Sequence, residues 1–210
     1  MFHVLRMGFR LLVFLMIVAA GFWVYLAKRT DSENFHEALK ESIKGGLTAS
    51  DIEMNGFSRS QGEMVVATLA VQGGNNTFFS ALEARNIRCR MGLLDGISGE
   101  WDTGVVSVSR LDVDLRAGAD DADSAKQLAD SLFREYRNVR LSALDVADAS
   151  IRWGYSERTK GSISNSALNV QRMGNSLKLH FRGGTFSQNW LRKLEIVELV
   201  VSCNPEGLVF

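Results

Sequence analysis

Histidines are the first residues to consider for acid–base chemistry or metal binding, and the chain has three of them. His3 precedes a long apolar segment, His36 lies in a predicted helix, and His180 occupies a polar position of a predicted strand. No two of them have the spacing of metal ligands. We therefore interpret His36 and His180 as surface residues, and the sequence predicts no metal site and no cofactor.

An acidic stretch of five aspartates, at positions 112, 114, 120, 121 and 123, raises the question of calcium binding. The stretch lacks the sixth-position glycine and the closing glutamate of an EF-hand loop. The first two aspartates fit the solvated face of a strand, and the later three fit the positive end of a helix. The chain also has no nucleophile elbow and no phosphate-binding glycine loop. The sequence therefore predicts no catalytic residue and no enzyme.

The two cysteines, Cys89 and Cys203, fit no zinc or redox spacing. They could form one disulfide in an oxidising compartment, or they could be separate thiols packed in the core. Basic and acidic residues balance at 24 each, so the chain has no net charge. A neutral protein has no overall field that would attract nucleic acid, and no nucleic-acid partner is expected.

An apolar segment at 11–27 carries no charged residue and comes close to the roughly 20 residues that span a bilayer. The predicted membrane-anchor residues are Leu11, Leu12, Phe14, Leu15, Ile17, Phe22, Trp23, Tyr25 and Leu26. The alternative is a signal peptide cleaved near Ala20. Cleavage there would leave Phe22 to Leu26 as an exposed apolar tail, so the sequence favours an uncleaved signal-anchor at 1–30.

The orientation of this anchor is nearly balanced, because Arg6 and Arg10 on one side face Lys28 and Arg29 on the other. A very short amino-terminal side is easily retained, and a long domain can be translocated whatever its charge. We therefore expect a single-pass protein of the inner (cytoplasmic) membrane, with the domain 31–210 in the periplasm.

The domain begins with a predicted amphipathic helix at about 32–44, in which Phe35, Ala38, Leu39 and Ile43 recur at helical spacing. Gly45 and Gly46 are predicted to end it. A second helix is predicted at about 122–136, where it would cover a sheet face or close the end of the sheet.

The rest of the domain alternates apolar and polar residues, which is typical of antiparallel strands with one apolar face. The fold class is therefore mainly β with minor α, a curved antiparallel β-meander with one covering helix. The residues of its apolar face, forming either a groove or a core, are Leu69, Val71, Ile87, Val113, Leu115, Ile151, Trp153, Leu177, Leu179 and Phe181.

A weak internal repeat runs through these strands. The segment 104–111 resembles 161–168 and 184–191, and the preceding strand at 86–89 resembles 150–153. The repeat predicts a meander of similar hairpins in which each strand pairs with its neighbour. Chance similarity between glycine- and serine-rich strands is the alternative explanation.

The anchor, the helix at 32–44 and the strand segments 47–54, 106–115 and 144–153 together resemble the amino-terminal part of the AsmA-like family, which includes TamB-type proteins of the bacterial envelope. The resemblance implies a long curved sheet with an apolar groove and a role in handling lipid between membranes. Members of that family are usually much longer, and residues 205–210 resemble the opening of another strand. The chain is thus either a fragment or a short member that could not bridge two membranes alone.

The resemblance leads to two expectations for function. The first is a membrane-anchored envelope protein that binds or guides membrane lipid along an apolar β-sheet groove. The second is a non-enzymatic structural or assembly factor, whose sheet edges pair with envelope proteins or with a second copy of the chain.

Overall fold

A computed structural model describes Met16 and residues 33–60, 62–74, 77, 79–90, 101–115, 139–154, 160–174, 176–188, 191–204 and 207–209. These residues form one helix segment and one mixed β-sheet, apart from the helical Met16. The elements are α1 (Glu33–Leu47), β1 (Ala49–Asn55), β2 (Ser58–Ser60), β3 (Glu63–Gly73), β4 (Phe79–Arg90), β5 (Trp101–Leu115), β6 (Val139–Trp153), β7 (Gly161–Met173), β8 (Ser176–Arg182), β9 (Thr185–Gln188), β10 (Leu191–Glu195), β11 (Glu198–Asn204) and β12 (Gly207–Val209).

The predicted amphipathic helix is present as α1, and its residues Ile43 and Leu47 pack against the apolar cluster of the sheet. The predicted end of this helix was wrong. Gly45 and Gly46 both belong to the helix, which continues to Leu47. The residue that leaves the helix is Thr48, which has a left-handed φ of 51° and whose amide donates to the carbonyl of Gly45.

The sheet is open and curved, and its main strand order is β1-β3-β4-β5-β6-β7-β8-β11-β12. The hairpins β3–β4, β4–β5, β6–β7 and β7–β8 are antiparallel. The sequence prediction of a mainly β domain is confirmed. The repeated segments lie in the antiparallel pairs β4–β5 and β6–β7, except for 184–191, which lies in β9 and the start of β10.

The prediction of an entirely antiparallel meander was wrong at one central pair. β5 and β6 run parallel, with Val106 beside Leu144 and Val113 beside Ile151. A parallel pair cannot be joined by a tight turn and needs a crossover connection of roughly a dozen residues or more. The segment 116–138 between them is long enough for such a crossover. The alternation of apolar and polar residues does not distinguish a parallel from an antiparallel pair, so it did not indicate this pairing.

Neighbouring strands in the chain also do not always pair with each other. The carboxyl-terminal part of β7, from Ala167 to Met173, pairs with β8. Its amino-terminal part, from Gly161 to Ser164, pairs with β9. Between β8 and β9, Gly183 and Gly184 both have positive φ, and β9 continues in the direction of β8 along β7. β10 and β11 run antiparallel to these two strands, so that β9 pairs with β10 and β8 pairs with β11. These breaks let the long strands bend with the sheet.

A one-residue phase change in the apolar alternation crosses five neighbouring strands, β3 to β7, at the same level. The buried residue is Ala84 before it and Cys89 after it in β4, and Leu111 and Val108 are the corresponding buried residues of β5. β6 changes between Val146 and Ala149, where its register with β7 also shifts. We call this line, through Asn86, Ser109, Ala147 and Asn165, the bulge line. Asn86 and Asn165 have positive φ there.

No helix in the described part of the chain combines the length and apolar character needed to cross a membrane. The predicted anchor at 11–27, except for Met16, and the predicted helix at 122–136 lie outside the described residues.

Candidate functional site

The ten residues predicted to form an apolar groove or core all belong to one hydrophobic cluster. Cross-strand pairing explains this, because residues directly opposite each other share a sheet face. One row runs from Val71 through Leu82, Val113 and Ile151 to Ile163. Helix α1 reaches the β1 end of the same cluster. The sheet therefore presents one continuous apolar face, in spite of the phase change at the bulge line.

In the central strands β5 and β6, burial on this face is deepest beside the bulge line and decreases toward the strand ends. Ala149 is fully buried and Val146 is 3% exposed, whereas Trp153 and Leu144, farther along the same strand, are only partly buried. The members of the cluster that keep partial solvent exposure include Leu69, Leu82, Ile87, Val106, Leu115, Leu144, Ile151, Trp153, Val170, Leu177, Leu179 and Leu199. The face is thus closed in the middle of β5 and β6 and accessible toward their ends. β3 and β4 differ, because Val71 and Phe79 are fully buried near the ends of these strands and Ile87 beside the bulge line is only partly buried.

The opposite face is polar and carries paired charges on one side of the bulge line. Arg110 donates through Nε to Asp112 on its own strand at 2.8 Å and through Nη1 to Asp148 on the parallel neighbour at 3.0 Å. Arg152 binds Asp114 across the same pair of strands. The predicted solvated strand face of Asp112 and Asp114 is therefore an ion-paired surface across β5 and β6.

This pairing also compensates a repulsive contact. Arg85 of β4 lies directly opposite Arg110 of β5, and like charges in that position repel. Arg85 binds Glu83 at 2.7 Å, and Arg110 has its two aspartates. The hydrogen bond that Arg110 donates to Asp112, followed by the charges of Asp112 and Asp148, raises the pKa of Arg110 above its ordinary value.

A pocket of about 550 Å³ opens on the polar face at and beyond the bulge line. Small side chains form its floor, and longer polar side chains form its walls. Its floor consists of Ser107, Ser109, Ala147 and Ala167, and its walls consist of Asn86, Arg88, Asp145, Asn169 and His180, with Val108, Val146 and Leu168 below. The walls occupy successive strands, so this pocket is produced by the register of β4 through β8.

The far wall of this pocket is fixed by hydrogen bonds. Asn169 donates through Nδ2 to Asp145, its direct cross-strand partner. Nε2 of His180 lies 2.6 Å from Oε1 of Glu198, and Nε of Arg182 lies 3.4 Å from the same histidine nitrogen. The prediction that His180 lies on the polar face of a strand is consistent with this position.

The side chains of His36 and Cys89 are less exposed than those of surface residues. The ring of His36 packs on Phe57, with 4.3 Å between centroids, and its Nε2 is buried without a hydrogen-bond partner in the described residues. It is thus half-buried, and the prediction of a surface residue was wrong for it. Cys89 is buried with a free thiol, as the second of the two interpretations predicts for this residue.

Comparison with known proteins gives no relative from which a function could be transferred: no protein-family model and no curated protein matches this chain.

The polar pocket is the feature that sequence reasoning missed. A signal for it is present, since the apolar alternation of β4 changes phase between Ala84 and Ile87, and a phase change in mid-strand indicates a bulge. Short residues at 107, 109, 147 and 167 then leave space on the polar face. Which strands lie side by side, however, depends on the parallel pairing of β5 with β6, which alternation alone does not indicate.

Proposed function

We propose that this chain is a membrane-anchored protein of the bacterial envelope that holds lipid acyl chains against the apolar face of its sheet. The observation that carries the proposal is the gradient of burial on that face. In β5 and β6 the middle of the face is closed, but large apolar side chains toward the strand ends, among them Leu115, Leu144 and Trp153, remain partly exposed. Exposed apolar surface that is continuous with a core is typical of sites that bind lipid or a partner.

The energy available on such a face suits an acyl chain. Each buried methylene contributes about 0.8 kcal/mol, so a chain that covers several half-exposed leucines and Trp153 would bind without any polar contact. The polar headgroup would then remain at the open end of the strands, in water. This proposal requires no titratable catalyst, and the resemblance to the AsmA-like family supports it.

The proposed location follows from the sequence. The apolar segment at 11–27 would anchor the chain in the inner membrane, and the β-rich domain would lie in the periplasm. A sheet placed next to the bilayer by its anchor could receive lipid directly.

Quenching of one tryptophan by brominated lipid tests this proposal. Trp153 is partly buried on the apolar face, and the other three tryptophans, Trp23, Trp101 and Trp190, can be replaced by phenylalanine. In nanodiscs that contain phospholipid brominated along its acyl chains, we expect quenching of Trp153. A matched control removes Trp153 as well and carries Ser150→Trp, a probe three residues earlier in the same strand. Its fluorescence should be unaffected, because the two positions face opposite sides of the sheet.

Mass spectrometry of the detergent-purified full chain provides an independent readout. We expect phospholipid to remain bound at a fixed ratio, and Leu177→Gln with Leu179→Gln to reduce that ratio. The absence of bound lipid together with equal quenching of the two tryptophan probes would overturn the proposal.

The second candidate function is an assembly factor that pairs through a sheet edge, and it rests on β1. In the described sheet, β1 is a terminal strand that pairs only with β3. The unpaired side of such a strand can accept a strand from a partner. A partner at a fixed ratio, lost on Asp51→Pro or Glu53→Pro, and no bound lipid would favour this function over lipid binding.

A further inference from the structure

We propose that the pocket on the polar face binds a small carbohydrate that carries one anionic group, either a carboxylate or a phosphate. This pocket lies on the side of the sheet opposite the apolar face, so the inference is independent of the proposed lipid binding.

The pocket is crossed by one straight row of polar residues. Register places Arg88 beside Ser107, Ser107 beside Asp145, Asp145 beside Asn169, and Asn169 beside His180. Five strands thus contribute one side chain each to the same line. Neighbouring strands lie about 4.8 Å apart, so polar side chains recur at regular intervals along the row, and a small sugar would contact two or three of them.

The two ends of this row differ in how their hydrogen-bonding groups are used. Asp145, Asn169 and His180 are bonded to one another or to Glu198, which fixes their positions. Within the described residues, Arg88 has no ion pair, and the hydroxyls of Ser107 and Ser109 have no hydrogen bond. One end of the pocket is therefore held in place, and the other has a guanidinium and two hydroxyls that are available to a ligand.

These groups define the two ends of the ligand. A guanidinium binds a carboxylate or phosphate through two parallel hydrogen bonds, so the anionic group belongs at Arg88. Asp145 would repel a second anion, but its carboxylate has acceptor positions beyond the one that Asn169 occupies. A hydroxyl group of the ligand can donate to it. The positions of Arg88 and Asp145 on either side of β5 separate these two ends by about 10 Å, measured between their strands.

The floor and volume suit such a ligand. Small serine and alanine side chains form the floor between the walls, so a sugar ring can lie close to the sheet. A volume of about 550 Å³ is within the range of small-molecule sites.

Calorimetric titration of the detergent-solubilised full chain tests the inference, with glucuronate and glucose 6-phosphate as probes and glucose as the uncharged control. We expect at least one charged sugar to bind and glucose to bind at least tenfold more weakly. Arg88→Gln should weaken binding of the charged sugar tenfold or more, because the charged hydrogen bonds are lost. Asp145→Ala should weaken it less, since only a hydroxyl contact is removed.

Arg90→Gln is the matched control. Arg90 is exposed two residues farther along the same strand and lies opposite Glu63, outside the pocket. Its substitution should leave the dissociation constant unchanged. Circular dichroism of each variant checks that the sheet is retained.

A glycolipid with a glucuronate headgroup, dispersed in the same detergent, distinguishes two sources of this ligand. Tighter binding than free glucuronate would assign the pocket to a lipid headgroup, and equal or weaker binding would assign it to a free sugar. The inference is wrong if neither charged sugar binds at millimolar concentration, if glucose binds as well as glucuronate, or if Arg88→Gln and Arg90→Gln have equal effects.

Discussion

The indole of Trp153 lies directly over Gly161, its cross-strand partner in the β6–β7 pair. A β-carbon built on Gly161 would lie 2.3 Å from both Cε2 and Cζ2 of that ring. Trp153 also packs against Phe186, with 5.9 Å between ring centroids. The end of the apolar face that remains partly accessible is therefore shaped by a tryptophan that needs a glycine beneath it.

We expect Gly161→Ala to destabilise the protein, because the added methyl group must displace the indole. Overpacking of this kind typically costs about 1–3 kcal/mol. Urea unfolding measures the loss, and the emission maximum of Trp153, in a variant whose other tryptophans are phenylalanine, reports the displacement. Gly45→Ala in helix α1 is the control. A β-carbon at Gly45 meets no atom within 4 Å, so this change should be neutral or stabilising. Equal losses for the two variants would contradict the packing argument.

Thr48 is a β-branched residue with a φ of 51°, directly after helix α1. A left-handed conformation costs an L-residue about 1–2 kcal/mol, and glycine adopts it freely. We expect Thr48→Gly to stabilise the protein by about 1 kcal/mol, a net value because glycine also gains entropy when unfolded. Thr48→Ala keeps the β-carbon and should gain less. A loss of stability for Thr48→Gly, measured by thermal unfolding, would show that the hydroxyl or methyl group of Thr48 is needed.

The sequence predicts which residues face the apolar side, but not how the strands are arranged. Leu111, Val113 and Leu115 have a clear period of two, and the structure has them on one face. That period is the same for a parallel and an antiparallel strand. The parallel pairing of β5 with β6 depends on the connection at 116–138, whose length permits both a hairpin loop and a crossover. The alternation pattern therefore could not predict that β5 and β6 pair in parallel.

The pocket was missed for a related reason. Its walls come from residues such as Arg88 and His180, which are nearly 100 positions apart in the chain. Each of them is an ordinary polar residue of a strand when considered alone. Only the order of β4 through β8 brings them into one row.

Cys89 provides a test based on pH. Burial, with a smaller contribution from the charge of Glu63, raises the pKa of the Cys89 thiol from 9.0 to about 11. The folded protein thus disfavours the thiolate, while the unfolded chain ionises near pH 9. The resulting stabilisation is complete below pH 9 and is lost as the pH rises from 9 to about 11. In a Cys203→Ser background, the unfolding free energy should fall over this interval by more than in the same background with Cys89→Ala.

Thiol chemistry checks the same point directly. The reaction of Cys89 with a soluble disulfide reagent under native conditions should be slow at neutral pH and should accelerate near pH 11. A thiol that reacts with a pKa near 9 would contradict the burial of Cys89. A protein without any reactive thiol after denaturation would instead show that Cys89 and Cys203 form a disulfide.

Asn86 links the bulge line to the pocket, because it has a φ of 51° in mid-strand and lines the pocket wall. Asparagine tolerates this conformation better than other residues with a β-carbon, and valine tolerates it poorly. We expect Asn86→Val to cost about 1–2 kcal/mol in the free energy of unfolding, whereas Asn86→Gly should cost little. Arg90→Val, at an exposed position of the same strand without positive φ, serves as the control and should be near neutral because valine favours strands.

If the bulge is required to bring the pocket walls together, the two Asn86 variants should also differ in binding. Asn86→Gly keeps the left-handed backbone at this position and removes only one amide from the wall, so it should bind the charged sugar only moderately more weakly. Asn86→Val places the strain on the bulge itself, and a return to regular alternation would turn Arg88 toward the other face of the sheet. Binding should then be lost to the same extent as in Arg88→Gln. Comparable binding by Asn86→Val and the unmodified protein would show that the position of Arg88 does not depend on the bulge at Asn86.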